Sequence, residues 1–185
     1  MAPASPHILI LGIGNLIMTD DGVGVRIIHL LQERYRFPEN VELIDGGTLG
    51  LDLLPHLEGV RRLVIVDAVE TGGPPGTLVR LTGEELNITF RTILSPHQAG
   101  LQDFLLVAGL RGFAPDEMIL LGVQPEEISM GTTLTPTVSA QVEKLLDGVL
   151  RELAAWGVTP SRVCQAPLPL EFLLQSSNKI GSLGR

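Results

Sequence analysis

The stretch Ile8-Leu-Ile-Leu-Gly-Ile-Gly14 carries no charged side chain and is followed by Asn15. Continuous apolar runs rich in isoleucine and leucine are typical of strands that are buried on both faces of a sheet. Three more strands are predicted at residues 41–45, 63–67 and 118–123, of which the first contains Glu42 and the first two end in aspartate. Residues 77–81 alternate instead, which predicts a fifth strand with one more exposed face.

Helical segments are predicted between these runs, at residues 22–36, 49–57, 95–108 and 135–156. Thr135-Pro136, like Ser95-Pro96, is typical of a helix start, with a capping residue followed by proline. Strands that alternate with helices predict an α/β fold, a three-layer sandwich in which helices flank both faces of a mostly parallel sheet. We expect a single domain over residues 1–157, followed by a C-terminal tail of unknown role over residues 158–185.

The composition argues against several classes of protein. The 13 basic residues are scattered and outnumbered by 21 acidic ones, giving a net charge of -8, whereas nucleic-acid binding requires clustered lysine and arginine. The single cysteine, Cys164, excludes an intramolecular disulfide and a CxxC zinc motif. The first apolar run is far shorter than the roughly 20 residues that span a bilayer. We therefore expect no membrane insertion and a cytoplasmic location.

Three acidic residues stand where ligands bind in such folds, beyond the carboxyl ends of strands. Asp21 lies in the loop after the first predicted strand, and Asp45 and Asp67 end the second and third. A lone buried carboxylate costs several kcal/mol unless it is paired or coordinated, and a cation is one way to offset that cost. Two of these acids also have simpler interpretations, Asp21 as a helix N-terminal residue and Asp45 as a turn residue. Asp67 is harder to explain in this way, because it follows an apolar run.

His97 is the histidine best placed to join these acids. It lies four residues before Leu101 and so continues the inward stripe at the first turn of its predicted helix. A helix N-terminus disfavours imidazolium, which leaves a neutral imidazole able to coordinate a metal; a hydrogen-bonded core histidine is the alternative. Two carboxylates and an imidazole form an incomplete ligand set suited to Zn, Ni or Mn.

Other catalytic and binding motifs are absent or incomplete. The sequence contains no HExxH motif and no GxSxG motif with plausible partners. Gly12-Ile-Gly14-Asn15 resembles the start of a dinucleotide-binding loop, but position 17, where the third glycine belongs, is isoleucine. A nucleotide-binding module therefore stays open as a rival function with weak support.

Several segments together resemble the hydrogenase maturation endopeptidases, which trim the C-terminus of the nickel–iron hydrogenase large subunit after nickel insertion. They occur in the family's order and spacing across about residues 8–157. The segments that carry the resemblance are Leu11-Gly-Ile-Gly-Asn-Leu-Ile-Met-Thr-Asp-Asp-Gly-Val-Gly-Val-Arg26, Asp45-Gly-Gly-Thr-Leu-Gly50, Val64-Ile-Val-Asp-Ala68, Pro75-Gly-Thr77, Ser95-Pro-His-Gln98, Leu121-Gly-Val-Gln-Pro125 and Leu134-Thr-Pro136.

The resemblance implies a twisted five-stranded sheet and metal ligands at Asp21, Asp67 and His97. It also implies that the metal is nickel supplied by the large-subunit precursor, although other divalent ions such as zinc suit the same ligands. Many members of the family have Glu where this chain has Asp21, and Asp is shorter by one methylene, about 1.5 Å of reach.

The chemistry of attack is left open by the sequence. In the absence of a credible Ser or Cys nucleophile, we expect an activated water, polarised by a metal or deprotonated by an aspartate. Asp45 is the candidate for that base or for substrate positioning, and we expect Gly46, Gly47 and Thr48 to contact the substrate. A nickel-binding maturation factor without hydrolytic activity would use the same three ligands and is the second rival.

Overall fold

The computed structural model describes residues 7–48, 50–83, 85–86 and 96–163, the last range without the side chains of residues 96–100 and 102. Five strands form the main sheet: β1 (His7–Ile13), β3 (Val41–Gly47), β4 (Val60–Ala68), β5 (Leu78–Thr82) and β6 (Glu117–Val123). Their spatial order is β3-β1-β4-β6-β5. All neighbouring pairs are parallel except β5 with β6, which confirms the predicted mostly parallel sheet of five strands.

Helices cover both faces of this sheet. The α-helices are α1 (Val23–Arg34), α2 (Pro96–Leu110), α3 (Pro136–Ser139) and α4 (Val142–Ala155), and two 3₁₀ helices span Thr19–Gly22 and Leu51–Leu57. Side chains alternate between faces along β1, so Ile8 and Ile10 pack on the side of α1 and α4. Leu9 and Leu11 pack on the other side, in the cluster that includes α2 and the second 3₁₀ helix. The predicted three layers are confirmed.

The strand order creates a crevice between β1 and β4. From β1 the chain passes through α1 to β3 on one side, and it then crosses to β4 on the other side of β1. Consecutive connections that leave a strand in opposite directions define a topological switch point, where ligands bind beyond the carboxyl ends of the strands. The loop after β1 and the end of β4 form this crevice.

Two of the predicted helices are shortened or divided in the structure, and the helix predicted over residues 49–57 is the 3₁₀ helix Leu51–Leu57. The helix predicted over residues 22–36 ends at Arg34, and Tyr35–Arg36 forms strand β2. Extended backbone there buries the Tyr35 ring in the core, and β2 pairs antiparallel with β7 (Ser161–Arg162). The single helix predicted over residues 135–156 is divided into α3 and α4, because the Gln141 N–H donates to the carbonyl of Val138, three residues back.

The chain remains packed on the domain for a few residues after Gly157. The Val158 N–H donates to the Leu153 carbonyl, and Val158 packs against the core. The structure describes the chain as far as Val163, so most of the predicted 158–185 tail lies outside the described residues. No helix within the described ranges is long and apolar enough to cross a membrane.

Candidate active site

Asp21 is held inside the fold by the tight loop that follows β1. Gly14 has a φ of 127°, and a Cβ there would lie 1.8 Å from the carbonyl oxygen of Asp21, so no other residue fits. The Asp21 side chain projects from the 3₁₀ helix Thr19–Gly22, and its Oδ2 accepts the N–H of Asn15 at 2.8 Å. Asp21 is only 3% exposed, so its carboxylate is largely removed from solvent.

Asp67 lies near the end of β4 and is completely buried. Because side chains alternate along a strand, it lies on the same face as Leu63 and Ile65, which is the face covered by α2. Its Oδ1 accepts the N–H of Ala68 at 2.8 Å. Burial raises the pKa of Asp67 well above its ordinary value, and the negative charge of Asp21 raises it further.

The structure therefore brings two of the three predicted metal ligands together. Asp21 and Asp67 lie on either side of the crevice between β1 and β4, close enough for the charge of one to affect the proton of the other. Two acids that repel each other in a buried crevice form a site that a divalent cation would stabilise. Their hard oxygen donors, joined by an imidazole, would suit a borderline metal such as nickel or zinc.

His97, the third predicted ligand, is described only in its backbone, and its side chain lies outside the described residues. It is the second residue of α2. This helix ends at Leu110 and is joined to the start of β6 by the short segment 111–116. A helix of 15 residues is roughly 22 Å long, about the length of a seven-residue strand, so α2 spans the sheet and its first turn lies at the carboxyl edge. Among the described side chains alone, no group of three or more His, Cys, Asp or Glu could hold a metal.

Asp45 has partners of its own at the end of β3. Its Oδ2 lies 2.8 Å from Nε2 of His29, and its Oδ1 accepts the N–H of Gly47 at 3.0 Å. The predicted base is thus a partly exposed carboxylate paired with a histidine of α1. His29 is missed by sequence reasoning because its helix and the β3 strand become neighbours only in the folded chain.

The other predicted substrate contacts differ in their surroundings. Gly46 is buried, and a Cβ there would lie 2.8 Å from the Leu11 side chain, so packing explains this glycine without any ligand. Gly47 has a left-handed φ of 48°, which a glycine adopts without strain. Thr48 is exposed at the surface and, with Gly47, stays a predicted substrate contact.

Asp20, which sequence reasoning did not select, is the most extensively bonded acid in the loop. It is completely buried, and its Oδ2 accepts the N–H groups of Glu126 and Glu127 and the hydroxyl of Thr135. Its Oδ1 accepts the N–H of Thr135 at 2.7 Å. Thr135 in turn caps α3 through its bond from the Val138 N–H, as the sequence predicted. Asp20 therefore joins the loop that carries Asp21 to the segment before α3.

The glycine-containing loop has few groups left for a nucleotide phosphate. The N–H of Gly14 donates to the carbonyl of Gly47 at 2.9 Å, and the N–H of Asn15 donates to the Asp21 carboxylate. Phosphate-binding loops present such N–H groups to the ligand. These bonds, and the acid beside them, disfavour the nucleotide-binding alternative.

Comparison with solved structures assigns this fold and crevice to a class of proteins. The hydrogenase maturating endopeptidase HybD from Escherichia coli is similar with a TM-score of 0.82 and 40% identity, over 86% of this chain and 99% of that chain. The nickel–iron hydrogenase maturation protease HybD from Thermococcus kodakarensis is similar with a TM-score of 0.67 and 32% identity, over 80% and 99%. The chain is thus a peptide-bond hydrolase by class.

Sequence comparison narrows the class to a family. Residues 25–152 match the family model described as hydrogenase maturation protease. The Hydrogenase 2 maturation protease of Escherichia coli is 43% identical over 153 residues, which cover 82% of this chain and 93% of that protein. The hydrogenase expression/formation protein HoxM of Azotobacter vinelandii is 44% identical over 175 residues, covering 90% and 84%. The chain belongs to the hydrogenase maturation protease family, which confirms the resemblance found in the sequence.

Proposed function

We propose that this protease removes the C-terminal extension of a nickel–iron hydrogenase large-subunit precursor after nickel has been inserted. The names of its relatives support hydrogenase maturation as the process. The observation that carries the metal-dependent part of the proposal is the buried pair of Asp21 and Asp67 at the switch point. The partner is the folded precursor, rather than nucleic acid, and the reaction takes place in the cytoplasm.

In this proposal the metal belongs to the precursor, and its presence is the recognition signal. Asp21, Asp67 and the imidazole of His97 supply only part of a coordination shell, so the precursor's own ligands can keep the remaining positions. Without metal, burial and the negative charge of Asp21 raise the pKa of Asp67 and so disfavour its charged form. A nickel ion held between the two acids would stabilise both as carboxylates, so a precursor that lacks nickel should bind less well.

The peptide bond is attacked by a water molecule in this proposal. Asp45, which is bonded to His29, is the proposed base or positioning group, and the carboxylates at the crevice are the alternative bases. Among these acids Asp67 is the one whose pKa is raised, and a carboxylate with a raised pKa accepts a proton more readily than an ordinary one. Gly47 and Thr48 would contact the substrate backbone beside Asp45.

Trimming of purified precursor tests the proposal. Asp67→Asn and His97→Ala should leave the fold intact but abolish the shift in precursor size on a gel, with nickel-loaded precursor as substrate. The matched controls are Asp116→Asn, an exposed acid paired with Arg61 just before β6, and His7→Ala at the start of β1. Both controls lie at the amino edge of the sheet and should trim normally.

Three results would count against the proposal. Normal trimming by both Asp67→Asn and His97→Ala would remove the proposed site. Equal trimming of nickel-free and nickel-loaded precursor would remove metal recognition. Tight binding of free nickel by the wild-type protein, with no change in precursor length, would favour the rival nickel-binding maturation factor.

A further inference from the structure

A largely apolar groove lies next to the loop that carries Asp21. It has a volume of about 490 Å³, which falls within the range of ligand pockets. Residues of four segments form it: the loop after β1, helix α1, the segment before α3 and the start of α4. The apolar members are Leu16, Ile17, Leu30, Leu134 and Val142.

The groove is continuous with the candidate active site. Leu16 directly follows Asn15, whose N–H binds the Asp21 carboxylate. The Cα of Leu16 also lies only 3.0 Å from the position of a Cβ on Gly22, the residue after Asp21. A peptide bound at the crevice can therefore place a neighbouring side chain in the groove.

Large apolar side chains are exposed at the groove and on the segment beside it. Ile17 is 56% exposed and Met130 is 88% exposed. They lie on adjacent segments, because Met18 and Gly131 form a β-bridge and the Ile17 carbonyl accepts the N–H of Gly131. Exposed apolar groups that gather beside a pocket are typical of a surface that binds a partner.

Arg26 gives the groove a cation without an acidic partner. It lines the groove and donates to the backbone carbonyl of Thr132. Its Nε is buried without a hydrogen-bond partner, and no described carboxylate forms an ion pair with it. In a chain with a net charge of -8, an arginine left in this state favours an incoming carboxylate.

We propose that this groove binds a bulky apolar side chain of the precursor segment next to the scissile bond, and that Arg26 binds a carboxylate of the same segment. The proposal rests on the proposed function, since it assigns a substrate subsite to that protease. It makes Ile17 and Arg26 determinants of which precursors are trimmed. The carboxylate is either an acidic side chain or the C-terminus of the precursor.

Steady-state trimming of nickel-loaded precursor measures the apolar part of the proposal. Ile17→Asp should raise KM about tenfold, the scale expected for spoiling an apolar subsite, with kcat changed by less than about twofold. Ile17→Leu should behave like the wild type. The control is Leu110→Asp at the end of α2, where the replaced side chain is 80% exposed and remote from the groove.

Arg26→Gln tests the charged part. It should raise KM about tenfold or more, the scale of a hydrogen bond to a charged group, and should remove most of the salt dependence of KM. Arg61→Gln is the control, because Arg61 is exposed and paired with Asp116 at the other edge of the sheet. Nickel-loaded precursor with an amidated C-terminus distinguishes the two carboxylate sources: a KM above that of the unmodified precursor identifies the terminus, and an unchanged KM identifies a side chain.

A photo-crosslinking residue placed at position 17 gives a readout that does not depend on turnover. Mass spectrometry should map the crosslinks to the C-terminal segment of the precursor. Crosslinks confined to another region, or an Ile17→Asp variant indistinguishable from Leu110→Asp while the wild type trims normally, would overturn the groove proposal alone. A wild-type protein that leaves the precursor uncut would overturn the proposed function and this subsite with it.

Discussion

Replacing Asp20 should lower the stability of the fold, whereas replacing the adjacent Asp21 should abolish trimming and leave the stability nearly unchanged. Asp20→Ala removes a buried carboxylate that accepts three backbone N–H groups and one hydroxyl. Each hydrogen bond to a charged group contributes about 1.5–3 kcal/mol, and donors left buried lose their solvation as well. Allowing for water that enters the space, we expect a loss of about 4 kcal/mol, a large part of a typical total of about 5–15 kcal/mol.

Urea and thermal unfolding followed by circular dichroism measure this loss. For a chain of this size, about 4 kcal/mol corresponds to a decrease in Tm of roughly 10 °C. Asp21→Asn is the comparison: it keeps an oxygen for the Asn15 N–H and removes a charge that opposes Asp67, so its stability should stay within about 1 kcal/mol of wild type. Its trimming activity should be lost. Equal destabilisation by the two variants would refute the division of roles.

Two further outcomes follow from the packing and from the charge at the crevice. Gly24→Ala should lower the free energy of unfolding in urea by about 3 kcal/mol, because its Cβ would lie 2.1 Å from the Val66 carbonyl oxygen. Gly109→Ala, whose Cβ would have nothing within 4 Å, should be neutral or stabilising. Equal effects of the two substitutions would contradict the close approach of α1 to the sheet. The raised pKa of Asp67 means that the metal-free folded protein holds a proton that the unfolded chain releases above about pH 4. The free energy of unfolding should therefore decrease from pH 5 to pH 8, and this decrease should be smaller in Asp67→Asn than in the wild type. If the free energies of the two proteins change in parallel with pH, Asp67 is not a buried carboxylate repelled by Asp21.

The architecture was predictable because the sequence pattern and the burial agree. Continuous apolar runs such as residues 8–13 and 63–66 become the central strands, and only strands covered on both faces have that composition. Asp67 stood out for the same reason, since a charged residue that ends such a run needs a compensating partner. The antiparallel direction of β5 was not predictable, because alternation of apolar residues does not depend on strand direction.

The parts that were not predicted depend on contacts between distant segments. Asp20 and Asp21 are identical in type, and the partners that distinguish them lie more than 100 residues away along the chain. Similarly, Tyr35 fits the apolar stripe of α1, yet its backbone is extended. Its ring packs in the core and its backbone pairs with β7, and neither contact can be read from the local sequence. The groove beside Asp21 combines four segments, none of which carries a recognisable motif.

The pairing of β2 with β7 fixes the position of Ser161 and Arg162 on the domain. Helix α1 starts beside the crevice and runs back across the sheet, so Tyr35 and its partner Arg162 lie at the edge farthest from the acids. A surface linker attached at the exposed Ser161, beside Arg162, would hold the enzyme by the edge of the sheet opposite the crevice. Molecules immobilised in this orientation would present the cleft to the solution, where a bulky folded substrate could approach unhindered.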